Sequence, residues 1–144
     1  MANASNSIII DRSVPDVYQF LADGLNNPKW RSAVVEISLA SGKPGAAGAV
    51  YKQTLKGPFG SKVDGSYRIV EAIPNSRIKF EVIAGPARPL GQFDVAVADG
   101  GASVRFSLSF EPAGLMRLMN GMIQSTMNAE VRNLSELKKL LEAK

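Results

Sequence analysis

The stretch GASVRFSLSFEPAGLMRLMNGMIQSTM, residues 101–127, changes its period halfway along. From Ser103 to Phe110 polar and apolar residues alternate, with Val104, Phe106, Leu108 and Phe110 on one side and Ser103, Arg105, Ser107 and Ser109 on the other. Successive side chains of a strand point to opposite faces, so this segment reads as a strand with one dry and one wet face. Beyond Pro112 and Gly114 the period becomes helical and stays so to the C-terminus. At about 100° per residue, Met116, Met119, Ile123, Met127, Leu134, Leu137 and Leu141 form a single apolar stripe. A helix with such a stripe needs a partner surface, and the dry face of the preceding strand begins to supply it.

Upstream the alternation repeats. Val35, Ile37 and Leu39 alternate with Glu36 and Ser38, and Val50 to Leu55 opens a further strand. Val63, Tyr67 and Ile69 share a face within Lys62 to Glu71, and Ile78, Phe80 and Val82 alternate with charged residues. Phe93, Val95 and Val97 follow. Turn signals separate these runs at Gly42 to Gly48, Gly57-Pro58-Phe59-Gly60, Pro74-Asn75, Gly85 to Pro89 and Asp99-Gly100-Gly101. Six successive strands joined by short turns predict an antiparallel sheet. Asp64, Glu81 and Asp94 fall at wet-face parity. Ahead of the sheet lie a β-branched strand, Ser7 to Ile10, and a short amphipathic helix. Ser13 suits the helix N-cap, Pro15 its first turn, and Val17, Phe20 and Leu21 its buried side. Gly24 and Asn26-Asn27-Pro28 stop this helix before the only tryptophan, Trp30. The reading is α+β: a twisted antiparallel sheet wrapped around a long C-terminal helix, as one domain over residues 1–144.

Composition narrows the chemistry. The chain has neither cysteine nor histidine, which removes disulfides, thiolate nucleophiles, Cys/His zinc sites and the usual general base near neutral pH. The 13 acidic residues are scattered, so no metal site is expected, and no cofactor motif is visible. The net charge is +4, but cations such as Lys29 and Arg31 occur singly or in pairs and read as solvated surface, so no nucleic-acid partner is expected. No apolar run is long enough for stable membrane insertion, and MANASNSIIID does not resemble a secretory signal. A cytoplasmic location follows as the expectation.

The order of signals carries a family resemblance over the whole chain. The helix VPDVYQFLAD is followed by NNPKWRSAVVEI with its tryptophan, then GAVYKQTL, GSYRIVEAIPNSRIKFEV and a terminal helix ending LSELKKLLEAK. This resembles the SRPBCC superfamily, also called START-like or helix-grip, and specifically its polyketide cyclase/dehydrase branch. The resemblance implies a seven-stranded antiparallel sheet, with Ser7 to Ile10 as its first strand, gripping the C-terminal helix over an apolar cavity. It also implies that the first half of that helix lines the cavity while the second half packs as core.

Four of the chain's five methionines lie between Leu115 and Met127, whereas the second half of the helix is leucine-rich. Unbranched, polarizable methionines adapt to ligands of varied shape, so Met116, Met119 and Met122, with Ile123, are candidate lining residues. Gly121 would mark a bend or a close approach. Strand parity adds Tyr51, Gln53, Tyr67, Phe80, Phe93 and Phe106. Gln53 and the tyrosine hydroxyls offer the few polar groups that orient a ligand in an apolar site. Trp30 either covers the ligand at the entrance or staples the first helix to the sheet. Glu130 falls on the helical stripe if its phase survives Gly121, which makes Glu130 and Tyr51 the candidate proton-transfer groups. Three functions fit. The first is binding or transport of a small hydrophobic or aromatic molecule: a lipid, polyketide or quinone-like compound. The others are a cyclase, aromatase or dehydratase, implied by the resemblance alone, and a protein-interaction module.

Overall fold

The computed structural model describes residues 2–85, 88–111 and 114–144, and of residues 58, 115 and 116 it describes the backbone. The regularly alternating segment is β8, Gly101–Phe110, and it forms the middle of a ladder. It pairs antiparallel with β1, Ala2–Ile10, on one side and β7, Leu90–Ala98, on the other. The path continues through β6 (Arg77–Val82), β5 (Tyr67–Ile73), β3 (Val50–Lys56) and β2 (Val34–Ser41), and the three-residue β4, Lys62–Asp64, pairs with β3 off this path. The curved antiparallel sheet and C-terminal helical segment are those of the helix-grip fold.

Two strand boundaries differ from the expectation. β1 begins at Ala2 rather than Ser7, because Ala2 and Ala4 have Phe110 and Leu108 opposite them in register and complete the same ladder. The expected strand Lys62 to Glu71 is broken at Gly65-Ser66. There Asp64 Oδ1 accepts from the backbone N–H of Ser66 at 2.9 Å and from its hydroxyl at 2.5 Å, the local side-chain bonding that turns a chain.

The helix α1, Val14–Ala22, starts where Ser13 accepts from the Asp16 N–H at 3.3 Å and buries Val17, Phe20 and Leu21. A 3-10 segment, Gly24–Lys29, carries the chain from α1 back to the sheet. At the other end the single long helix of the sequence reading is segmented. Gly114–Met119 is 3-10, followed by α2, Asn120–Arg132, and α3, Leu134–Glu142, with a break at Asn133. Met127, Val131, Leu134, Leu137 and Leu141 are buried as core. Polar bonds fasten this helical run to β1 along its length. Gln124 bonds both backbone groups of Asn3, Asn6 Nδ2 donates to the Val131 carbonyl at 3.1 Å, and Lys138 Nζ donates to that of Ile9 at 2.6 Å.

Candidate functional site

The concave face of the sheet is lined by aromatic rings from neighbouring strands. Parity places Tyr51 on β3, Tyr67 on β5, Phe80 on β6, Phe93 on β7 and Phe106 on β8 on this face, and all five are buried. Their centroids follow one another at 5.2 Å, 5.2 Å, 5.9 Å and 4.5 Å from Tyr51 to Phe106. Offset and tilted pairs at such spacings are favourable beyond the area they bury. Gly91 makes room for the third ring, since a Cβ there would lie 2.1 Å from Phe80 Cζ. Trp30 packs edge-on against Phe93 and Phe106, at 6.0 Å and 5.9 Å, and is 3% exposed. It therefore staples the entry to β2 onto the sheet rather than standing at an entrance.

Polar side chains gather beside the tyrosine end of this ladder. Asn27 Nδ2 donates to Gln53 Oε1 at 3.0 Å and to the Tyr67 hydroxyl at 3.1 Å, and Gln53 Nε2 donates to the Gly65 carbonyl at 3.3 Å. Burial pushes the Tyr67 phenol well above its ordinary value, against the opposing influence of the nearby Arg31 charge and the Asn27 bond. Tyr51 is also raised by burial. Its hydroxyl leaves the cluster, accepting from the Gly45 N–H at 3.0 Å and lying 3.5 Å from Asp23 Oδ1. Neither phenol is tuned for proton transfer near neutral pH.

Glu130 does face inward, as the stripe predicts, and is the one buried carboxylate among the described residues. It is not a free acid. Arg31 reaches it with Nε at 2.9 Å and with Nη2, and the side chains are 7% and 10% exposed. The guanidinium also lies 5.9 Å from the Phe106 ring. Arg31 is thus buried, contrary to its reading as solvated surface. Asn27 and Arg31 are the site residues that the sequence reading passed over. Their signal is spacing: Asn27 and Trp30 are three apart, and side chains at i and i+3 eclipse in a 3-10 segment, so both turn toward the sheet and draw the adjacent Arg31 in. Two buried atoms of this region have no hydrogen-bond partner: Trp30 Nε1 and Glu130 Oε1.

The methionine wall is placed differently from its prediction. Met119 and Met122 are 41% and 52% exposed, with Leu118 beside them at 86%. A 3-10 residue advances by about 120° instead of about 100°, so the 3-10 run ending at Met119 does not continue the apolar stripe of α2; Met122, within α2, is about 140° round from the buried Met127 and so faces outward. Ile123, lying within α2, is half-buried against the core, and Met127 is fully packed. The Met116 side chain lies outside the described residues. Gly121 makes no close approach, for a Cβ there would meet nothing within 4 Å; it stands where 3-10 gives way to α. Little open space lies beside the ladder among the described residues. The space bounded by Leu21, Asn27, Arg31, Tyr67, Phe80 and Phe93 is about 10 Å³, room for about one water molecule.

The chain belongs to the family described as polyketide cyclase / dehydrase and lipid transport, whose model matches residues 1–142. Solved structures share the fold. TTHA0849 from Thermus thermophilus is 18% identical with a TM-score of 0.77, over 96% of this chain and 94% of its own. DR_A0006 from Deinococcus radiodurans is 14% identical with a TM-score of 0.73, over 99% and 98%. The di-domain ARO/CYC StfQ from the steffimycin biosynthetic pathway is 16% identical with a TM-score of 0.74, over 96% of this chain and 49% of its own. No curated protein matches the sequence. No helix among the described residues is long and apolar enough to cross a membrane.

Proposed function

We propose that this protein binds a small, planar, ring-bearing molecule between the concave face of the sheet and the first part of the C-terminal helical run. The observation that carries the reading is the aromatic ladder from Tyr51 to Phe106 with a polar cluster at one end. Flat rings complement such a surface better than a flexible acyl chain, which loses more rotational freedom on binding. This favours a polyketide or quinone-like compound over a lipid. The polar groups supply orientation. The Tyr67 hydroxyl accepts from Asn27 and keeps its own proton to donate, Trp30 Nε1 is a second donor, and Glu130 Oε1 is an acceptor. A ligand bearing carbonyl and hydroxyl groups on a ring system matches that set. Binding there requires the helical run to part from the sheet beyond the small space beside the ladder. The exposed Leu118, Met119 and Met122 mark the segment least sealed to the sheet, and Gln124 to Asn3 is the clasp nearest to it.

Chemistry by proton transfer has less support, since both ladder phenols are held neutral and Glu130 is occupied by Arg31. The test is mass spectrometry of small molecules released when the purified protein is denatured, joined to a titration with 2-naphthol read by Trp30 emission. Release of an aromatic compound, or a saturable change in emission, is expected. An empty protein whose Trp30 emission does not respond would contradict the proposal.

A further inference from the structure

The opposite face of the sheet carries a feature that the interior does not explain. A groove of about 520 Å³ lies there, within the size range of small-molecule sites, roughly 300–1,000 Å³. Its origin can be read from register. Two outward-facing rows cross the sheet, one through Ser5, Ser107, Gln92 and Lys79 and one through Asn3, Ser109 and Leu90. Between them runs the row Ala4, Leu108, Gly91 and Phe80, whose side chains turn to the concave side. Backbone therefore floors the groove. Serines at its centre are short, whereas Arg105, Lys79 and Leu90 around them are long, so the middle of the face is sunk below its rim. Val70, at the irregularity in the pairing of β5 with β6, completes the apolar side together with Leu90.

The cations of this groove make no ion pair among the described residues. Lys79 and Arg105 line it, and neither has a carboxylate within ion-pair distance among the described residues; Arg105 reaches only the Ser5 hydroxyl, at 3.5 Å. The acids opposite them in register, Asp94 across from Arg105 and Glu71 across from Lys79, turn toward other cations. Asp94 is held by Arg77 at 3.0 Å and by Gln92 at 2.8 Å and 3.0 Å, Glu81 pairs with Arg68, and Glu71 lies toward Arg77 at 3.7 Å. Two unpaired cations, hydroxyl and amide groups and an apolar edge thus share one depression.

We infer that this outer groove is a second binding site, separate from the concave face, for a small amphiphilic oxyanion: a phosphate or carboxylate held by Lys79 and Arg105, with serine hydroxyls donating to it and an apolar portion lying on Leu90 and Val70. Charge-assisted hydrogen bonds to an oxyanion are roughly twice as strong as neutral ones, and half-burial of Lys79 on a backbone floor strengthens them by excluding water. The inference is independent of what the interior binds.

The experiment uses the full chain and phenyl phosphate, inorganic phosphate and phenol as probes, followed by amide chemical shifts. Phenyl phosphate is expected to shift Gln92, Arg105 and Ser107 saturably, and more tightly than inorganic phosphate. Phenol at the same concentration should leave these amides unmoved. The double variant Lys79→Gln/Arg105→Gln should bind phenyl phosphate at least about tenfold more weakly while keeping the parent's Tm. Ser107→Leu, which fills the groove without changing charge, should weaken binding as well. The inference is overturned if the double variant binds as tightly as the parent or if the shifts scatter over unrelated lysines. Shifts of these amides with protein concentration alone, marking an interface between copies, would overturn it too.

Discussion

Arg31→Met tests how the C-terminal helix is held over the ladder. Arg31 and Glu130 are 7% and 10% exposed at their side chains and join the entry to β2 to the last turn of α2. Removing the cation leaves a buried carboxylate whose Oε1 already has no partner. Breaking a buried pair from one side costs about 3–5 kcal/mol, whereas replacing both charges with apolar groups of similar volume is often neutral or better. Unfolding entropy of about 2.1 cal/mol/K per residue over 144 residues gives roughly 0.3 kcal/mol/K. The expected loss of Tm is therefore about 10–16 °C for Arg31→Met. Glu130→Leu should lose a similar amount, and the double variant should return to within about 1 kcal/mol of the parent. Calorimetry and urea unfolding of all four proteins complete the cycle. A loss below about 1 kcal/mol in Arg31→Met, or a double variant no better than either single one, would refute the claim that the pair is buried and mutually dependent.

Three further outcomes follow from named contacts. Gly91→Ala places a methyl 2.1 Å from Phe80 Cζ, so the third ring must leave its position. A loss of about 1–3 kcal/mol by urea unfolding is expected, with a change in the aromatic circular dichroism; a neutral substitution would contradict the ring's placement. Gly121→Ala meets nothing within 4 Å and should stabilise the protein by up to about 1 kcal/mol through helix propensity, whereas a loss would restore the close approach that the structure denies. Tyr67 has a folded pKa above its unfolded one. The stability this provides is complete below the unfolded value of about 10 and is lost as pH rises beyond it. Tyr67→Phe should cost about 1 kcal/mol at neutral pH through the Asn27 bond and show a shallower alkaline decline in urea midpoint; parallel alkaline limbs would refute the burial of that phenol.

The fold was legible because its signals are periodic and redundant. Alternation through Val104, Phe106, Leu108 and Phe110 specifies which face is dry, and a register slip would expose that whole set. The ladder aromatics were legible for the same reason. What failed depended on local geometry that hydrophobic period does not encode. Met119 stays on the stripe only if the chain before α2 is α-helical, and it falls instead in a 3-10 run; Met122, inside α2, is about 140° round from Met127 and lies off that stripe. Arg31 looks like any solvated cation until Glu130, 99 residues away, is brought against it. The break after β4 had a local signal, Asp64-Gly65-Ser66, but it lay inside an otherwise acceptable alternation.

The central claim is that a ligand enters between the sheet and the first part of the C-terminal helical run. Because the chain contains no cysteine, Ala4→Cys, on the concave-facing row of β1, and Gln124→Cys introduce two unique thiols beside the point where Gln124 Oε1 accepts from the Asn3 N–H at 3.1 Å. A short cleavable crosslinker then fixes α2 to β1. The most direct measurement is the 2-naphthol titration of Trp30 emission before linking, after linking and after cleavage. The account predicts a saturable response that disappears in the linked protein and returns on cleavage. An undiminished response in the linked protein would contradict it.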